Sequence, residues 1–141
     1  MTPARDLSLA SYRHLAEFRH QIRKFIRYSE DAARAHGTEP QQHQLLLAIK
    51  GLPAGKLPTI SELADRLQIR HHSAVELINR LADHGAVIRE TAAEDRREVL
   101  IRLTPAGERT LRALSLEHRN ELRKAAPQLM KALDSIMKGS D

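Results

Sequence analysis

Leu15, Phe18, Ile22, Phe25, Ser29 and Ala32 fall at alternating spacings of three and four. No Pro or Gly interrupts the chain from Leu9 to Ala35. This heptad-like stripe predicts one long helix. At 1.5 Å per residue it runs about 40 Å, long for a domain this small. The stripe can serve an ordinary core. It can equally serve a subunit interface, because such a helix overreaches one small core. Gly37 stops the helix as a C-terminal cap. A second helix opens at Thr38-Glu39-Pro40 and turns Leu45, Leu46, Ala48 and Ile49 inward, and Gly51-Leu52-Pro53-Ala54-Gly55 breaks it.

The middle of the chain changes rhythm. Thr59-Ile60-Ser61-Glu62 has the form of a capping box and starts a short helix with Leu63, Ala64 and Leu67 inward. Gln68-Ile69 is a tight turn. The next helix runs from about His71 to His84, with Ala74, Leu77, Ile78 and Leu81 inward and Gly85 at its end. Two helices joined by so short a turn form a helix-turn-helix. Ala86–Glu90 and Val99–Leu103 then alternate as β-strands around a charged loop, Thr91–Glu98. That order is a winged helix. Thr104-Pro105 begins a further helix, with Thr as cap and Pro at its first position. Its stripe is Leu111, Leu114, His118, Leu122 and Ala125. Pro127 is expected to end it, leaving Leu129, Met130, Leu133, Ile136 and Met137 on a last short amphipathic helix.

Composition narrows the function. The 141 residues suffice for one domain with a real core. There are 23 Lys+Arg against 18 Asp+Glu, giving +5, and a pI near 10.0. Seventeen of those cations are Arg, which suits planar contact with phosphate, carboxylate or bases. Yet residues 61–109 hold eight cations and nine acids, so the helix-turn-helix and hairpin together are −1 and the excess lies in the flanking helices. Cys is absent, excluding disulfides, thiolate metal sites and a Cys nucleophile. Aromatics are 3% of the chain, and all four (Tyr12, Phe18, Phe25 and Tyr28) lie in the first helix. Stacking platforms for single strands or RNA are therefore disfavoured. No apolar run approaches a membrane span, and Met1 to Ala10 lacks a signal-peptide core, so a cytoplasmic location is expected.

At this point the chain resembles the MarR family of winged-helix transcription regulators, from about Leu9 to Met137. The carrying residues are Gln42 with Leu45-Leu46-Leu47, Ile60-Ser61-Glu62-Leu63-Ala64, and Leu77-Ile78-Asn79-Arg80-Leu81 with Gly85. Most specific is the run from Asp95-Arg96-Arg97 through Leu103-Thr104-Pro105-Ala106-Gly107. It looks like the family wing: Asp, one residue, Arg, then a strand ending in Leu-Thr and a Gly-containing helix start. The expected architecture is mainly α with a small β-hairpin wing, dimerised through N- and C-terminal helices. The expected divisions are 1–36 for dimerisation, 37–104 for the winged helix-turn-helix and 105–141 for dimerisation, in one compact domain. Leu15, Phe18, Ile22, Leu129, Leu133 and Ile136 are the candidate dimer residues. The resemblance implies a homodimer on a pseudo-palindromic DNA operator, and a cleft for small, often phenolic or anionic, effectors.

Arg97 is the first DNA candidate, since a guanidinium at a hairpin tip can enter a narrow minor groove. Asp95 can pair with it and fix its direction, as in the family; the alternative is a solvated salt bridge. Arg96 suits a phosphate contact or plain exposure. Arg70, His71, His72 and Ser73 open the recognition helix, whose first residues reach base edges and whose free N–H groups attract phosphate. A metal role is disfavoured because adjacent helical residues diverge and no third ligand is near. Two positions depart from the family pattern. Arg70 stands where a hydroxyl cap is frequent. Glu76 stands where Arg or a small polar residue is frequent, and can accept from cytosine N4 or pair with Arg80. Arg80 is divided between structure and phosphate. Tyr12, His14, Phe18, Arg19 and His43 are candidates for the effector cleft. No cofactor and no enzymatic activity are expected, for want of a phosphate loop or nucleophile motif. The leading expectation is a dimeric repressor released by a ligand. The alternative is a winged-helix protein-interaction module without specific DNA binding.

Overall fold

The computed structural model describes residues 6–92 and 97–139. The element order is α1 (Leu9–Ala35), α2 (Pro40–Lys50), α3 (Ile60–Leu67), α4 (His71–Asp83), β1 (Val87–Thr91), β2 (Val99–Leu103) and α5 (Pro105–Met137). The chain divides into two compact units. One holds residues 1–31 and 117–141, and the other holds 32–116. The division falls inside α1 and α5.

Local chemistry sets most boundaries. α1 ends where the Gly37 N–H donates to the Arg34 carbonyl at 3.0 Å and the Thr38 N–H to Ala33 at 2.9 Å. This is a Schellman cap. Gly85 closes α4 the same way at φ +75, with Gly85 N–H on Ala82 and Ala86 N–H on Leu81. α2 starts at Glu39, whose backbone N–H donates to Gln42 Oε1 at 3.4 Å. α3 is capped by Thr59, whose Oγ1 accepts from the Glu62 N–H at 3.1 Å.

The 32–116 unit carries a closed core. Leu45, Leu46, Leu63, Leu77, Ile78, Leu81, Val87, Ile101 and Leu111 are each at most 3% exposed and form one cluster. They come from every element of the unit from α2 to the start of α5, so the core is what fixes α4 against the hairpin. β1 and β2 pair antiparallel with Val87 opposite Leu103 and Thr91 opposite Val99. Thr59 bridges to Leu100, and the Ile101 N–H donates to the Pro58 carbonyl at 2.9 Å. The segment before α3 thus covers the second edge of β2.

The unit of residues 1–31 and 117–141 is more open. Phe25 and Tyr28 meet His118 edge-on, with ring centroids 6.4 and 6.2 Å apart. Ser29, His118 and Ala132 are buried. Leu15 and Leu133 are 44% and 47% exposed. Leu122, expected on the inward stripe, is exposed.

One expected boundary is corrected. Pro127 does not end the helix: α5 continues through it to Met137. Proline removes one N–H and crowds the carbonyl four residues back. A 33-residue helix keeps its other bonds on both sides, and Pro127 is solvent-exposed. The two expected C-terminal helices are one.

Candidate DNA-binding surface

The 32–116 unit brings α4 and the hairpin together. The α3–α4 turn depends on Gln68, which holds φ 53 without being glycine. Its side-chain amide donates to the Asp65 carbonyl at 2.7 Å, which anchors the left-handed residue locally. α4 then begins at Arg70, in extended conformation and without a side-chain cap. The helix start therefore keeps free backbone N–H groups, an electrostatic site for phosphate. Arg70, His71 and His72 are exposed there and Ser73 is half-buried. Glu76, Asn79 and Arg80 are exposed further along. The inward residues Ala74, Leu77, Ile78 and Leu81 lie on the opposite stripe and hold the helix in place.

The hairpin is braced at two points. Arg102 Nε donates to Glu90 Oε2 at 3.0 Å across the strands. Arg89 on β1 donates to the Asn79 side-chain oxygen on α4. The Ala92 N–H donates to the Glu98 carbonyl at 2.9 Å and closes the ladder below the loop. Arg97 emerges from that loop exposed. Asp95 and Arg96, also expected in the wing, lie outside the described residues.

The base of the wing explains its Leu-Thr-Pro-x-Gly run. Thr104 Oγ1 donates to the Gly85 carbonyl at 2.5 Å and accepts from the Gly107 N–H at 3.1 Å. It ties the end of α4 to the start of α5. Gly107 is packed so closely that a Cβ would stand 2.1 Å from the Ala86 carbonyl oxygen. Only glycine allows that approach.

The candidate effector residues are distributed between the units. Tyr12, His14, Phe18 and Arg19 are on α1 in the unit of residues 1–31 and 117–141, and His43 is buried in α2 of the other. His14 lines a recess of about 210 Å³ with Leu15 and Ile136, and another of about 190 Å³ with Glu17 and Lys131. Burial, and then the carboxylates of Glu117 and Glu121, push the Tyr28 phenol above its ordinary value. Sequence reasoning missed a groove of about 400 Å³ between α2 and the first turns of α5. Leu47 and Leu111 form its apolar part, and Lys50, Arg109 and Arg112 supply cations. Lys50 pairs with Glu108 at 3.0 Å. Its signal in the sequence was weak, since its residues are about 60 positions apart and no motif joins them.

Among the described residues no cluster of His, Cys, Asp or Glu is arranged to hold a metal ion, and no helix is long and apolar enough to cross a membrane.

A helix with an exposed start, tied through Asn79 to an Arg-bearing hairpin, defines a winged helix-turn-helix protein. The MarR family model matches residues 36–98. A Thauera aromatica protein described as a transcriptional regulatory protein for the hcr operon is 28% identical over 93 residues, covering 66% of this chain and 54% of its own length. The chain thus spans about half of that relative. Three solved structures share the fold. AbsC, a MarR family regulator from Streptomyces coelicolor, has a TM-score of 0.76 at 21% identity and covers 96% of this chain and 94% of its own. E. coli MarR in its apo form scores 0.67 at 20%, covering 94% and 98%. A mutant of S. aureus MepR bound to an oligodeoxyribonucleotide scores 0.64 at 20%, covering 94% and 92%. The winged-helix region of this chain is thus similar to the MarR family, and the fold as a whole is that of MarR structures.

Proposed function

We propose that the protein is a homodimeric transcriptional regulator that reads a pseudo-palindromic DNA operator and acts as a repressor. The observation that carries this reading is the exposed, uncapped start of α4, built on the same core as the hairpin that carries an exposed Arg97. α4 suits the major groove, with Arg70, His71, His72, Ser73 and Glu76 toward base edges and Arg80 toward phosphate. Arg97 suits the adjacent minor groove, and the proposal assigns Asp95 and Arg96 to the same contact from the sequence alone. The structure of a MepR mutant bound to an oligodeoxyribonucleotide supports DNA as the partner. Dimerisation is supported by the exposed Leu15 and Leu133, with Phe18, Ile22, Leu129 and Ile136 only half-buried. A small phenolic or anionic effector releases the DNA. The α2–α5 groove suits such a molecule, with an apolar floor and cations at its rim. The chemistry is binding rather than catalysis, and the location is cytoplasmic.

The test is selection of preferred duplexes from a random pool, followed by binding of Arg97→Ala to the selected site. The expected loss is about tenfold or more, on the order of 1–3 kcal/mol, with the melting temperature unchanged. Unchanged affinity in that variant overturns the wing assignment. Binding that shows no preferred site favours a protein-interaction module instead.

A further inference from the structure

Most of the positive charge of the chain lies outside α3, α4 and the hairpin. Residues 61–109 sum to −1, while the rest holds fifteen cations against nine acids. Much of that excess is ordered on one helix. Arg13, His20, Arg23, Lys24 and Arg27 follow one another on α1 at spacings that share a face, and all five are exposed. Each stands two or five residues from members of the apolar stripe Leu15, Phe18, Ile22, Phe25 and Ser29. At about 100° per residue, those offsets put them across the helix from the stripe. A subunit packed on the stripe therefore leaves the cations in water.

The face is long and largely uncompensated. From Arg13 to Arg27 it spans about 21 Å. Glu17 and Asp31 border it, and Glu17 accepts from the Gln21 amide at 2.7 Å. Among the described residues no salt bridge holds Arg13, Arg23, Lys24 or Arg27.

We propose that this face of α1 is a second DNA-binding surface, one that grips the phosphate backbone without reading sequence. The proposal rests on the DNA-binding reading above and assigns to α1 electrostatic affinity beyond what the start of α4, Arg80 and Arg97 supply. Three of the four permanent cations are Arg, whose planar fork matches phosphate oxygens. An acidic membrane fits less well. A surface-lying helix needs its apolar face for lipid, and on α1 that stripe already sets Phe25 against His118, with Tyr28 packed on the same ring. Phosphates neutralised by this face release counterions, so it contributes salt dependence rather than specificity.

The experiment compares the full-length protein with the triple variant Arg23→Gln, Lys24→Gln, Arg27→Gln. A second triple variant, Arg119→Gln, Arg123→Gln, Lys124→Gln, removes the same charge from exposed positions of α5. Affinities for a selected and a random duplex are measured across a salt series. Loss of three phosphate contacts makes the log–log salt slope shallower by about 2 to 3. It also weakens both duplexes by the same factor, about tenfold or more, while the selected-to-random ratio stays fixed. The α5 variant keeps the wild-type slope. Equal slopes for wild type and the α1 variant overturn the proposal, and so do equal losses in the two triple variants. Binding of the wild type to anionic phosphatidylserine vesicles, lost in the α1 variant while duplex binding is kept, assigns the face to membrane instead. Wild type that binds no duplex at low salt overturns the underlying DNA reading itself, and the proposal with it.

Discussion

The two units of the chain bury their apolar residues very differently. Among the described residues of 32–116, fifteen hydrophobic residues are buried, from Ala32 and Ala33 to Leu111 and Leu114. In residues 1–31 and 117–141, Ala132 is the one buried hydrophobic among the described residues. That unit instead exposes Leu7, Leu9, Tyr12, Leu15, Ile26, Leu122, Met130, Leu133 and Met137. The first unit has a core of its own. The second has the pattern of half a core, which a second copy of the chain would complete. Large exposed apolar patches mark such interfaces.

The largest test of that contrast is Leu133→Asp. In a homodimer built on this face, two copies of an interface leucine are lost. At about 1.5–3 kcal/mol each, the dissociation constant should rise about 10²- to 10⁴-fold. Sedimentation across a dilution series reads the change, and wild type should melt at higher temperature as its concentration rises. A monomeric wild type at all concentrations would break the comparison. Ile101→Ala strikes the closed core instead. It should cost about 2–5 kcal/mol in denaturant unfolding, whatever the protein concentration. Gly107→Ala should cost about 1–3 kcal/mol through the clash with the Ala86 carbonyl and loosen the base of the wing. Amide exchange of the hairpin measures that loosening. A neutral Gly107→Ala would mean that α5 can shift off Ala86 freely. The smallest effect is that of Thr59→Ala, which removes the α3 cap and should cost about 1 kcal/mol. Thr59→Ser should recover most of it.

The elements themselves were largely legible. α1 runs over the predicted residues, β2 matches, and β1 is shifted by one. Such features rest on local chemistry: an uninterrupted period, a glycine that tolerates positive φ, a hydroxyl before a helix. Pro127 misled for a complementary reason. A local rule forecast a break, but one missing N–H does not outweigh the intact turns on either side. Gln68 was read correctly as a turn but not as a left-handed residue, because its own amide hydrogen bond supplies what glycine supplies elsewhere. Part of the candidate surface followed from the same signals. The start of α4 and Arg97 were readable by position. The Arg89–Asn79 tie was not, since it joins two elements ten residues apart and needs the fold to bring them together.

The sequence by itself determined where most helices and strands lie and which residues open α4. It also placed the positive charge on the flanking helices. Those follow from nearest-neighbour periodicity, capping and simple counting. Only the tertiary structure decided why position 107 must be glycine, since the reason is a carbonyl that folding delivers from 21 residues earlier. Only it showed that one unit closes its core while the other leaves Leu15 and Leu133 open. Burial depends on what packs against a residue, and that partner is distant in the chain or, as proposed, in another copy of it.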